Sequence, residues 1–211
     1  MANPEWVDYV GNLGTGLGAL VATVTAGYLA IQHRRTKRWK ANDLAAAWLQ
    51  KLDSDQCLAM ACQSLDWGVG PLIIPEQYKA LFRDLDGTAV QQPHPEIMEH
   101  DPQVMYEALQ PRLTSKTLSS AEGLLYRFCF DKLFAYFDQV YCLLEDGQLA
   151  ERDLSSLSYW LARLRCYQYP PAGVDGREVF VPAVQRWGYA NVEKLWLRLK
   201  VEQLPLEFQR K

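Results

Sequence analysis

The chain has 211 residues, 49% of them apolar, and its 22 Lys and Arg against 25 Asp and Glu leave a formal charge of −3. That length suits one domain with an appendage, and the apolar content excludes a disordered or collagen-like chain. The near-neutral sum hides a segregation. Residues 1–9 carry Glu5 and Asp8 and no base, 10–32 carry no charge, and 33–40 carry five bases (Arg34, Arg35, Lys37, Arg38, Lys40) and no acid. The remainder, 41–211, holds 17 bases and 23 acids, a balance of −6.

The uncharged segment 10–32 predicts a transmembrane helix, because about 22 helical residues span the roughly 30 Å of a bilayer's hydrocarbon core. Trp6, Tyr9 and Tyr28 lie near its ends and Trp39 just beyond, where amphipathic rings prefer the interface. A helix buried in a soluble core is the competing reading, disfavoured by the length of the charge-free run and its basic end. A cleaved signal peptide would carry its bases before the apolar stretch, whereas here they follow it. The positive-inside rule then leaves 1–9 outside, makes 33–40 a basic juxtamembrane segment and puts 41–211 in the cytoplasm.

Within the segment Gly14, Gly18, Ala22, Ala26 and Ala30 recur every fourth residue, a small-residue ridge that permits close helix–helix approach. Beside it run Asn12, Thr15, Ala19 and Thr23, polar enough to be unwelcome in hydrocarbon. Leu13, Leu17, Leu20, Val21, Val24, Tyr28 and Ile31 fill the bulky side. This division predicts a homo-oligomer with contacts along the ridge and, if a lumen forms, Asn12, Thr15 and Thr23 lining it. An ordinary anchor with incidental glycines is the plainer alternative.

Beyond the basic run the pattern is helical. Leu44, Trp48 and Leu52 recur at helical spacing, and Asp53 and Ser54 can cap a second helix bearing Leu58, Ala61, Cys62 and Leu65. A short extended piece at 72–74 and a helix over 76–85 follow, then 86–101 as the least ordered stretch and a helix over 102–109. Ser119 with Glu122 forms a capping-box pattern and Gly147 a stop. Between them Leu124, Leu125, Phe128, Phe130, Leu133, Phe134, Phe137, Val140, Tyr141 and Leu144 cover more than one face, the mark of a central core helix. Arg127 and Asp131 sit one turn apart and can pair. A helix over 152–166, a connector over 169–176, a short apolar run at 179–181 and a helix capped by Asn191 complete the domain. The fold class expected is all-α, one transmembrane helix plus a cytosolic helical bundle. Cys57, Cys62, Cys129, Cys142 and Cys166 form no CxxC pair and read as core filler.

Little in the sequence carries catalytic chemistry. His94, Glu96, Glu99, His100 and Asp101 have metal-ligand types, but they lack the i, i+4 histidine spacing of a helical zinc site and read as a solvated acidic loop. No hydrolase elbow, P-loop or dinucleotide fingerprint occurs. No catalytic residue, metal or cofactor is therefore expected. Residues 41–150 carry 7 bases and 16 acids, which repels phosphate, whereas 151–211 carry 10 and 7. There Arg163, Arg165, Arg198 and Lys200, among Tyr159, Trp160, Tyr167, Trp187 and Trp196, are candidate ligands for RNA or a nucleotide. Ordinary amphipathic helices, or a basic surface docking on a neighbouring subunit, explain the same pattern.

The segments YRFCFDKLFAYFDQVYCLLEDGQLAERDL (126–154) and AAAWLQKLDSDQCLAMACQSLDW (45–67) resemble those of a group of uncharacterised bacterial single-pass membrane proteins with a helical cytosolic domain. The layout is more loosely similar to small CRISPR-associated HEPN-like membrane pore effectors. HEPN ribonucleases need a His four to six residues after an Arg, and no Arg here has one, so the resemblance implies a non-nuclease. The expected function is a non-enzymatic oligomeric membrane effector or sensor, in its most concrete form a pore of stress or antiviral defence. The alternative is a membrane-tethered RNA- or nucleotide-binding module. Implied partners are membrane lipid, further copies of the chain, and a protein or a nucleotide/RNA signal on the cytosolic side.

Overall fold

A computed structural model describes residues 5–66, 70–82, 96–110, 120–166, 168–169 and 174–201, with backbone alone for 5–23, 166, 168–169 and 174–177. The chain divides into two compact units, Met1–Asp43 and Leu44–Lys211. Helix α1 (Glu5–Ser54) supplies all that is described of the first unit and opens the second. No Pro or Gly occurs between Gly27 and Ser54, so nothing interrupts its hydrogen-bond ladder there.

The second unit is mostly helical, as its periodicity predicts. In chain order it holds α2 (Gln56–Asp66), β1 (Pro71–Ile73), a 3-10 turn (Glu76–Phe82), β2 (Ile97–Glu99) and α3 (Pro102–Leu109). Then come α4 (Ala121–Glu145), a second 3-10 turn (Glu151–Leu154), α5 (Ser155–Cys166), β3 (Gln168–Tyr169), β4 (Val174–Asp175), α6 (Gly176–Arg186) and α7 (Ala190–Arg198).

Helix α4 is the centre. It packs against α2, α3 and α7, while α5 packs on α6. Leu125, Tyr126, Cys129, Phe130, Leu133, Phe134, Phe137 and Val140 are fully enclosed. Each large side chain so buried contributes about 1.5–3 kcal/mol. Phe128 departs from the expected core set. It is 41% exposed and stacks on Tyr78 with centroids 5.3 Å apart. The ends of α4 follow local chemistry. Ser120, one residue after the Ser119 expected, accepts a hydrogen bond from the Gly123 N–H at 3.2 Å. Gly147 stops the helix as predicted. Its φ of +66° is open to glycine without strain, and the Gly147 and Gln148 N–H groups donate to the Leu144 and Leu143 carbonyls.

Other boundaries move by a residue or two. Asp55, not Asp53 or Ser54, caps α2, its Oδ1 accepting from the Cys57 and Leu58 N–H groups. Asn191 lies inside α7 and does not cap it; its N–H donates to Asp138 Oδ1 at 3.3 Å. The piece expected at 76–85 is the tighter 3-10 turn, described as far as Phe82. The stretch expected to be least ordered contains β2, antiparallel to β1 with Leu72 opposite Met98 and both buried. Three residues show barely one alternation, too little to announce a strand. The run 179–181 belongs to α6, where Val179 and Phe180 are fully buried.

Candidate functional site

The described side chains of the first unit present an apolar surface. From Val24 to Lys40 every residue of α1 is exposed. Val24, Tyr28, Leu29 and Ile31 are 63%, 60%, 60% and 55% exposed. At 100° per residue Leu29 lies well away from the face of Val24, Tyr28 and Ile31, so the apolar surface is not one stripe. Polar groups satisfy one another along the axis. Gln32 donates through Nε2 to the Tyr28 hydroxyl at 2.6 Å, and the Thr36 hydroxyl donates to the Gln32 carbonyl at 3.0 Å. The exposed bases Arg34, Arg35, Lys37, Arg38 and Lys40 follow, with Trp39 72% exposed among them.

Among the described residues no helix is long and apolar enough to cross a membrane. Only nine uncharged residues, 24–32, have described side chains ahead of the basic run. The side chains of Asn12, Gly14, Thr15, Gly18, Ala22 and Thr23 lie outside the description. Ala26 and Ala30 are exposed, and among the described residues a Cβ at Gly27 would meet nothing within 4 Å beyond its own helix.

The four cations singled out near the C-terminus are distributed among different neighbours. Arg163 is a correction to the solvent-facing expectation. Its side chain is 3% exposed, and its Nη2 donates to Asp66 Oδ1 at 2.7 Å. Tyr159 also donates to Asp66 and accepts from Arg163 Nε at 3.2 Å. Partial burial disfavours the Asp66 carboxylate, but Tyr159 and Arg163 outweigh it and hold its pKa below the ordinary value. Arg165 sits over the Trp196 ring, 5.3 Å from the centroid. Arg198 pairs with Glu145 and with Glu151, the latter at 2.8 Å. Lys200 is exposed, with a φ of 50°. Arg127 and Asp131 likewise engage other groups. Arg127 lies 4.2 Å from the Trp187 centroid, and Asp131 accepts from the Tyr189 hydroxyl at 2.8 Å.

The acidic loop is also different from its expectation. His94 lies outside the described residues, and Glu96 and Glu99 are exposed, but His100 is buried. Its Nδ1 is 2.7 Å from the Tyr126 hydroxyl, which also accepts from the Asp101 N–H at 3.1 Å. The hydroxyl proton therefore points at Nδ1, and the Ser64 carbonyl is the ring's other partner. Burial pushes the imidazole pKa down to about 4, against the pull of Asp101 and Ser64. Asp101 is committed elsewhere, capping α3 through the Gln103 and Val104 N–H groups. Among the described residues no group of three or more His, Cys, Asp or Glu side chains is placed to hold a metal ion.

Cysteine is the residue type whose arrangement sequence spacing missed. Cys57 accepts from Gln77 Nε2 at 2.9 Å, and the Cys129 thiol donates to Met60 Sδ at 3.6 Å between α4 and α2. Cys62 is buried, as core filler should be, whereas Cys142 is exposed. Compared with protein-family models, curated proteins and solved structures, the chain finds no match.

Proposed function

We propose that the chain is a non-enzymatic membrane effector or sensor. Residues 10–32 cross the bacterial inner membrane, and 41–211 form a cytosolic helical domain. The observation that carries this reading is the exposure of Val24, Tyr28, Leu29 and Ile31 on more than one side of α1, directly before five exposed bases. Water penalises that much apolar surface, whereas hydrocarbon does not. The 23 uncharged residues 10–32 extend the same chemistry N-terminally to bilayer length, and the bases fix the orientation.

Self-association follows from the ridge of Gly14, Gly18, Ala22, Ala26 and Ala30, and a pore is its most concrete form, with Asn12, Thr15 and Thr23 toward the lumen. The role assigned to the chain in antiviral or stress defence rests on the loose similarity of this layout to CRISPR-associated pore effectors. The cytosolic domain then receives the signal, a protein or a nucleotide. The RNA-binding alternative is weakened because Arg163 and Arg198 already engage Asp66, Glu145 and Glu151.

The test is expression in bacteria with a C-terminal reporter, followed by alkaline carbonate extraction and protease treatment of spheroplasts. Retention in the membrane pellet with the reporter protected is expected. Release into the soluble fraction overturns the anchor, and a digested reporter overturns the orientation. Dye release from vesicles carrying the purified protein tests the pore separately.

A further inference from the structure

Building on the membrane reading above, on which this inference rests, we propose that the surface of α1 carrying Arg34, Arg35, Lys37, Arg38 and Lys40 binds anionic phospholipid headgroups. Trp39 sits among these bases at the same depth.

The five bases lack the partners that cations find elsewhere in the chain. In the second unit Lys79, Lys132, Arg152 and Arg198 each pair with a carboxylate, and so does the buried Arg163. Among the described residues none of the five bases of α1 has such a pair, and all five are exposed. No acid occurs between Asp8 and Asp43. Five positive charges therefore stand within 34–40, about 9 Å of helix axis, and no described carboxylate neutralises them.

The apolar neighbours decide which anion fits. At 100° per residue Val24, Tyr28, Ile31, Arg35, Arg38 and Trp39 fall within a wedge of about 100°. That side of α1 turns from apolar to basic within about one turn. Leu29, with Lys37 and Lys40, repeats the change on the other side. A bilayer rewards both parts. Hydrocarbon takes Val24, Leu29 and Ile31, and the headgroup layer, about 5–7 Å deep on each side, takes the bases, whose long stems reach it from the boundary. Trp39 is 72% exposed, more than any other large apolar side chain among the described residues, and an amphipathic ring is at home in that layer. RNA would reward the bases and could stack on a ring, but it would leave Val24, Leu29 and Ile31 in water. An anionic headgroup attracts every Lys and Arg held near the surface, and the attractions accumulate along a run. A zwitterionic headgroup has no net charge and offers the run no such gain.

The experiment uses the full chain reconstituted into phosphatidylcholine vesicles. Trace phospholipid, spin-labelled far down one acyl chain, carries either a phosphatidylglycerol or a phosphatidylcholine headgroup. Paramagnetic resonance spectra then separate lipid immobilised at the helix from free lipid. The expected association ratio of phosphatidylglycerol to phosphatidylcholine is about three or more. It should fall toward one in about 1 M NaCl, where screening shortens electrostatic reach to about 3 Å. Arg35→Gln combined with Arg38→Gln leaves three bases to hold the orientation and should lose about half of the preference or more. Immobilised lipid with a ratio of one in the native chain overturns the proposal and leaves the anchor standing. So does a ratio unchanged by salt or by the double substitution. Should the double variant fail to insert, the salt series on the native chain decides. Absence of immobilised lipid, with the protein released by alkaline carbonate, overturns the anchor and this proposal with it. A single-stranded RNA that binds the detergent-solubilised chain through Arg35 and Arg38, while the lipid ratio stays at one, assigns the run to nucleic acid instead.

Discussion

The Tyr126 hydroxyl donates to His100 Nδ1 across 2.7 Å inside the core, tying the segment ahead of α3 to the central helix α4. His100 is 3% exposed and its pKa lies at about 4, below the ordinary 6.5, because protonation would place a charge in a dry site. Between those values only the unfolded chain takes up the proton. Stability is therefore lost as pH falls from about 6.5 toward 4, by up to about 3 kcal/mol, and this contribution flattens below that window. Thermal unfolding of the native chain and of His100→Gln, followed from about pH 7 to pH 4, should show a steeper decline for the native chain. Parallel curves would rule out the buried imidazole as the source.

Arg163 and Asp66 form a pair with one partner enclosed and the other 36% exposed. Removing the arginine leaves Asp66 and Tyr159 without it at the edge of the core. Arg163→Ala should destabilise by about 2–3 kcal/mol, less than a fully buried pair because water reaches Asp66. Arg163→Met, which keeps the apolar stem, should lose less. Urea midpoints measure both. An Arg163→Ala protein of native stability would restore the arginine to the list of ligand contacts.

Among the described residues, nothing beyond the chain neighbours of Gly147 comes within 4 Å of where a Cβ would sit, yet its φ is +66°. A substitution there meets strain and no clash. Gly147→Ala should lose about 1 kcal/mol, and Gly147→Asn less, since asparagine tolerates the left-handed region. Equal midpoints for all three proteins would show that the end of α4 does not depend on this turn.

The small-residue ridge predicts assembly through the membrane helix. Gly18→Leu places a large side chain on it and should lower the mass of the detergent-solubilised particle, while an equivalent change on the bulky side, Leu17→Ile, should not. An unchanged mass for Gly18→Leu removes the ridge from the assembly.

Much of the fold was legible because it is local. The helix over 102–109 is α3, and Gly147 marks the end of α4, since a short periodic run or a left-handed turn needs only residues a few positions apart. The repeat from Leu125 to Val140 announced a core helix for the same reason. Phe128 shows the limit: its residue type and position fit the stripe, but its partner is Tyr78, on a 3-10 turn that periodicity assigned as an ordinary helix.

The candidate site divides along the same line. Charge segregation, the uncharged length of 10–32, the basic run and the helical character of the rest are properties of composition and short-range order, so the sequence alone determined them. Which polar side chains face one another was decided by tertiary structure. Arg163 meets Asp66 across 97 positions, Cys129 meets Met60 across 69, and His100 turns inward to Tyr126 across 26. Periodicity identifies which face of a helix is buried, but only packing fixes which neighbour that face meets. The unfavourable desolvation of an arginine, a thiol or an imidazole is offset by that neighbour, and no local pattern names it.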